Sequence, residues 1–219
     1  MKKVDIIVPS YVPDHEVGDH CARFLESLQQ WTNKDLYRLI IVDNGSRFRV
    51  EEMKAAADEY IRKDFPLGFG RAANLGMAFS DAEYMVVVNN DITLQGPWLE
   101  QLLADYEQYG PGVLSPVDHP AEQQIFYDAN WFSLFLLDRK TFVNVGYFDE
   151  TLNYRFMDQD YSIRCKKKGY NVMRTGFVTV HHVNEATWSK QGNGVEEREE
   201  RQRMIDRYGV ALFSDYVRK

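Results

Sequence analysis

Short apolar runs that end in carboxylates, and one that ends in paired histidines, hold the residues of this sequence best suited to chemistry. Asp43 follows Leu39 to Val42, Asn89-Asn90-Asp91 follows Tyr84 to Val88, and His181-His182 follows Phe177 to Val180. An opening run, Val4 to Val8, ends in Pro9-Ser10-Tyr11, and a further acidic cluster, Asp158-Gln159-Asp160, starts a stretch of helical periodicity. Several acids on one edge concentrate negative charge, which a divalent cation or a donor-rich ligand would relieve. The histidines join that chemistry if their rings face the same edge as Asp91. Each cluster also has a plain structural reading. Asp43-Asn44-Gly45-Ser46 has the residue types of a turn and helix cap, and Asp158 those of a helix N-terminus with Asp160 in the first turn.

The segment Leu67 to Gly76 needs separate treatment, because Gly68, Gly70 and Ala73 satisfy the dinucleotide fingerprint G-x-G-x-x-A and Asp91 falls about 20 residues later. That fingerprint must follow a buried strand, whereas Tyr60 to Pro66 is charged and ends in proline. A nicotinamide site is therefore not expected. A loop entering a helix at Arg71 still brings backbone N–H groups and a guanidinium within reach of a phosphate.

Groups at strand ends act together only if a sheet aligns those ends, and open α/β sheets bind ligands outside their carboxyl edges. The first half alternates short apolar runs with helical periodicity, the pattern of βα units feeding a largely parallel sheet. Helices are expected over His15 to Trp31, from Val50 through Met53 and Ala57 to Tyr60, over Arg71 to Phe79, and after Pro97. Strands are expected at Val4 to Val8, Leu39 to Val42 and Tyr84 to Val88. Beyond Gly112 the alternation breaks, and a mixed arrangement follows. It includes a helix over Asp158 to Lys168 closed by Gly169, a strand over Phe177 to Val180, and a charged helix over Glu196 to Tyr208. In that last helix Glu197 with Arg201 and Glu199 with Arg203 have favourable i,i+4 order.

The chain has 219 residues, 44% hydrophobic and 27% charged, with a net charge of -7. This size and balance predict one domain, 1–219, with a sizeable core. The negative charge argues against nonspecific nucleic-acid binding. No apolar run approaches the ~18 residues of a membrane span, and the expected location is cytoplasmic. Cys21 and Cys165 form no CxxC pair and are expected as buried thiols.

The ordered set of motifs resembles the inverting family-two glycosyltransferases of A-type fold, in particular their rhamnosyltransferase-like branch. The resemblance runs from Val4 to about Gly209. It rests on Ile7-Val8-Pro9-Ser10-Tyr11, Ile41-Val42-Asp43-Asn44-Gly45-Ser46, Leu67-Gly68-Phe69-Gly70 with Asn74-Leu75-Gly76, Val88-Asn89-Asn90-Asp91, Val145 to Glu150, Asp158-Gln159-Asp160 and a late histidine. It implies an α/β fold of Rossmann-like, mostly parallel sheet flanked by helices, with residues 1–110 holding the nucleotide sugar and 111–219 supplying the acceptor side and the base.

By the same resemblance, Asp43 binds the base and ribose of a UDP- or TDP-linked donor, with Pro9, Ser10 and Tyr11 lining that pocket and Gly68, Arg71, Asn74, Asn89 and Asn90 completing the donor site. Asp91 holds Mn2+ or Mg2+, assisted by His182, with His181 as the alternative register. Asp158 is the general base on an acceptor hydroxyl. Trp131, Asp160 and Trp188 are candidate acceptor contacts, and the two tryptophans and Tyr127 equally suit a core or interface. The chain departs from the family pattern at Asn89, where the first acid of D-x-D is expected, at Met157 in place of a glutamate, and at Val12 in place of asparagine. Two other readings stand beside this one. A nucleotidyltransferase shares the layout but needs a glycine-rich basic loop where Ser10-Tyr11-Val12-Pro13-Asp14 stands. A noncatalytic binding module would suit Asn89 and Met157 but not the retention of Asp91 and Asp158.

Overall fold

The computed structural model describes residues 4–119, 121–127, 132–152, 156–183 and 194–210. Four strands, β1 (Val4–Ser10), β2 (Tyr37–Asn44), β3 (Glu59–Lys63) and β4 (Tyr84–Val88), alternate with helices α1 (His15–Trp31), α2 (Val50–Ala56) and α3 (Phe69–Phe79). They pair in parallel in the order β3-β2-β1-β4. Residues of β1 are buried on both faces, as its near-continuous apolar run requires. Val4, Ile6 and Val8 pack against α1 residues such as Phe24 and Leu28, while Ile7 joins Ala73 and Met77 of α3 on the opposite face. The approach of α3 is close enough that a Cβ on Gly76 would lie 2.3 Å from Ile7 Cγ2.

After β4 come β5 (Ile92–Thr93), α4 (Trp98–Tyr109), β6 (Gly112–Val117), β7 (Ile125–Tyr127), β8 (Leu134–Asp138), α5 (Arg139–Val145), α6 (Met157–Lys167), β9 (Asn171–Thr179), β10 (His181–His182) and α7 (Gly194–Tyr208). The main sheet runs β3-β2-β1-β4-β8-β6-β9-β7, and β8 is antiparallel to both β4 and β6. This is the α/β architecture with a mostly parallel first half and a mixed second half. No helix among the described residues is long and apolar enough to cross a membrane. Both cysteines are buried free thiols.

Two expectations need correction. The helix expected to reach Tyr60 stops at Ala56, and Tyr60 instead lies in β3. Among the described residues that strand pairs only with β2, and its residues are mostly half-buried, with Glu59, Arg62 and Lys63 where a central strand would be apolar. A strand does therefore precede the glycine-rich segment, although it is an edge strand and not a buried one. The second correction is that His181 and His182 do not extend the preceding strand. They form β10, antiparallel to β5, with His182 opposite Ile92 and His181 opposite Thr93.

Candidate active site

The carboxyl ends of β1, β2 and β3 are in register, with Ser10 opposite Asp43 and Asp43 opposite Arg62. Asp43 is 0% exposed. Its Oδ1 accepts the Ser46 backbone N–H at 2.8 Å, which is the turn that the sequence suggested. Its Oδ2 accepts from both the Tyr60 hydroxyl and the Arg62 guanidinium. Burial, and then the bond to Asp43, push the Tyr60 hydroxyl up to about 12. Tyr60 and Arg62 are two residues apart on a strand, so both reach the same face.

Several expected donor residues act as braces in the structure. Ser10, fully buried, accepts from Asn90 Nδ2 at 2.9 Å, tying β1 to the end of β4. Asn74 Nδ2 donates to the Phe148 carbonyl at 3.0 Å and to Glu150 at 3.1 Å, while Asn74 Oδ1 accepts the Phe148 N–H at 2.9 Å. These bonds occupy the Asn74 amide in joining α3 to the segment before α6. Arg71 is exposed and leans on the same segment, with Nε 3.8 Å from the Glu150 carboxylate. Gly68 has φ +86° at the start of α3, and its carbonyl accepts from Asn44. Pro9 is buried and Tyr11 half-buried where β1 ends.

The corner expected to hold a metal is built differently. The β5–β10 pairing brings His182 against Asp91, with Nε2 3.1 Å from Asp91 Oδ1 but off the line of a hydrogen bond. Asn89 Nδ2 stands 3.4 Å from the same ring nitrogen. Asp91 Oδ1, Asn89 Oδ1 and His182 Nδ1 are buried and have no hydrogen-bond partner among the described residues. His181, the neighbour on a two-residue strand, is exposed. Among the described residues no three His, Cys, Asp or Glu side chains gather as a cage. The Asp91 carboxylate nonetheless suits a hard divalent cation, with the His182 imidazole as a softer second donor. Mg2+ takes one or two protein ligands and completes its shell with substrate phosphates, and two donors ~2.1 Å from one octahedral ion stand ~3 Å apart.

Asp158 lies half-buried in the first turn of α6, where its Oδ1 accepts the Gln159 N–H at 3.0 Å. Phe156, just before the helix, has φ +64°, an uncommon conformation for a bulky residue and one that costs about 1–3 kcal/mol. Asp160 was expected to meet the acceptor, and the structure corrects this. It is 0% exposed and accepts from Arg164 Nε at 2.7 Å, Arg207 at 2.7 Å and the Tyr208 hydroxyl at 2.6 Å. Residues two apart on a helix point to different sides, so Asp158 and Asp160 meet different surroundings. Asp149 also pairs with Arg207, at 2.5 Å. Burial opposes its charge, but hydrogen bonds from Thr151 and Arg207 outweigh burial and hold its carboxyl below the usual range. Trp131 and Trp188 lie outside the described residues, and Tyr127 is exposed on β7.

Sequence reasoning missed Tyr60 and Arg62, and it gave Asn44 only as part of the turn after Asp43. The only available signal for the first two was their two-residue spacing within a charged segment.

The family model described as glycosyl transferase family 2 matches residues 5–174. No curated protein matches the chain. Among solved structures, GalNAc-T7 with UDP, GalNAc and Mn2+ superposes with a TM-score of 0.70 at 12% identity, covering 83% of this chain and 44% of that one. S. aureus TarS 1-349 gives 0.62 at 16% identity, covering 80% of this chain and 57% of that one. This chain thus spans roughly half the length of those proteins, and at such identities the likeness is one of fold.

Proposed function

The chain belongs to glycosyl transferase family 2, and from that premise we propose that it is an inverting enzyme of the rhamnosyltransferase-like branch. It moves a hexosyl or deoxyhexosyl unit from a UDP- or TDP-linked donor to a hydroxyl of a glycan or other acceptor in the cytoplasm. Residues 1–110 form the donor half, and 111–219 supply the acceptor surface and the base. The observation that supports this most is the approach of Asp91 Oδ1, His182 Nε2 and the Asn89 amide at the carboxyl edge of the sheet, where Asp91 Oδ1 and Asn89 Oδ1 are buried without a hydrogen bond among the described residues.

Inversion at an anomeric carbon requires one base on the face opposite the leaving group, together with neutralisation of the departing diphosphate. Asp91 and His182 would hold Mn2+ or Mg2+, and the bound cation would supply that neutralisation. Asp158 takes the acceptor's hydroxyl proton as the oxygen bonds to the sugar carbon. The bond from that carbon to the diphosphate oxygen breaks, and its electron pair leaves with the phosphate. One carboxylate therefore suffices, whereas glycoside hydrolysis uses two.

Incubation with UDP- and TDP-sugars, Mn2+ and a panel of glycan acceptors should release nucleoside diphosphate in an acceptor-dependent way that EDTA stops. Asp158→Asn should lower that rate at least ~100-fold while the rise in melting temperature on adding UDP and Mn2+ persists. Equal loss of transfer and nucleotide binding would remove Asp158 from the role of base. Pyrophosphate release from a nucleoside triphosphate would replace the reading with nucleotidyl transfer.

A further inference from the structure

We propose that Arg62 reads the carbonyl-or-amino edge of the donor nucleobase and selects a nucleoside diphosphate with a carbonyl there: uracil or thymine (O4) or guanine (O6), and not adenine or cytosine, which carry an amino group at that position. This inference rests on the donor reading above and refines it. The resemblance gives base recognition to Asp43, yet that carboxylate is 0% exposed and already accepts from the Ser46 amide, Tyr60 and Arg62. A base arriving at the carboxyl edge finds no Asp43 surface to touch. It meets the Arg62 side chain, which is 40% exposed.

Arg62 is oriented as well as accessible. Its guanidinium donates to Asp43 and, through the other terminal nitrogen, to the Ser46 carbonyl at 3.1 Å. Ser46 is itself fixed to the loop after β1, because its Oγ accepts the Val12 N–H at 2.9 Å, and the Val12 carbonyl accepts the Arg47 N–H at 2.9 Å. The chain leaving β1 at Tyr11, the turn after β2 and the end of β3 are thereby joined into one corner. Asp43 is the buried anchor of that corner, and Arg62 is the group presented outward. A guanidinium has five N–H donors and no acceptor, and the two contacts above leave donors to spare. It complements an oxygen at that edge of the base, whereas the amino group that adenine or cytosine carries there would set donor against donor. A site built to donate rejects a partner that lacks the acceptor, because its own polar group is then left unpaired.

The test is isothermal titration of UDP, GDP and ADP, each with Mn2+, into wild type, Arg62→Gln and Arg62→Lys. Wild type should bind UDP or GDP roughly 10- to 100-fold tighter than ADP, the worth of one charge-assisted hydrogen bond. Both variants should lose most of that preference while their affinity for ADP stays near wild type. Arg62→Lys keeps a cation beside Asp43 but lacks the planar fork that presents further donors to the base, so it decides the question if Arg62→Gln fails to fold. A wild type without base preference, or a folded variant that keeps it, would overturn the inference and leave the donor reading intact. A wild type that binds none of the three nucleotides would overturn both.

Discussion

Asp43 and Asp91 stand at the carboxyl ends of strands in one sheet, both nearly inaccessible to water, yet their surroundings are opposite. Asp43 accepts from a backbone amide, a phenol and a guanidinium. Asp91 faces an imidazole 3.1 Å away, and its Oδ1 makes no hydrogen bond among the described residues. Buried charge is costly unless it is paired and hydrogen-bonded. The first acid therefore serves the fold as a completed anchor, while the second is left with an unpaired oxygen beside an imidazole, the corner proposed above for a cation. Asp158 and Asp160 repeat the contrast within one helix turn. Asp160 is closed off by Arg164, Arg207 and Tyr208, and Asp158 is half-buried near the helix start.

The largest expected effect breaks the closed member of the helix pair. Asp160→Ala leaves two guanidiniums and a phenol without their shared acceptor, and should lower unfolding stability by about 3–5 kcal/mol in urea titrations. Asp158→Asn should change it by less than ~1 kcal/mol. If the two variants were equally destabilised, the division between an anchoring acid and a working acid would fail.

The sheet pair should divide in the same sense but by less, since Arg62 can turn to solvent. Asp43→Ala should cost about 2–3 kcal/mol, mainly through the buried Ser46 N–H left unpaired. Asp91→Ala, measured in EDTA, should be neutral or slightly stabilising, because it removes a buried charge with few bonds. A loss at Asp91 as large as that at Asp43 would mean that Asp91 is a structural anchor too.

The smallest effect concerns the attachment of α7. Asp149 has a lowered pKa, so its pairing stabilises the fold above the unfolded carboxyl value and loses that contribution as pH falls through the lower folded value. Asp149→Asn should therefore cost roughly 1 kcal/mol near pH 7, and this difference should shrink in acid as the wild-type Asp149 protonates. A penalty that stayed constant down to low pH would show that the Asp149 pair contributes little.

Much of this arrangement was legible because the parallel strands are buried on both faces and their sequence is correspondingly apolar. Val4 to Val8 and Tyr84 to Val88 announce themselves, and so do the polar groups that end them. β3 was not legible, since Glu59 to Lys63 lies at the edge of the sheet and sets only Tyr60 and Ile61 among charged residues, which reads equally well as a helix end. The choice between His181 and His182 depends on how β10 is registered against β5, which no local pattern fixes. The burial of Asp160 depends on Arg207 and Tyr208, almost fifty residues away in sequence. Its role as an anchor becomes visible only once α7 is packed on α6.

The most direct test of the contrast between Asp43 and Asp91 is electron paramagnetic resonance of Mn2+ titrated with the protein in the presence of UDP. The account predicts that wild type reduces the signal of free Mn2+ with a one-to-one endpoint, that Asp43→Asn retains a one-to-one endpoint at concentrations saturating for nucleotide, and that Asp91→Ala and His182→Ala lose most of the effect while remaining folded. Undiminished Mn2+ binding by folded Asp91→Ala would contradict it.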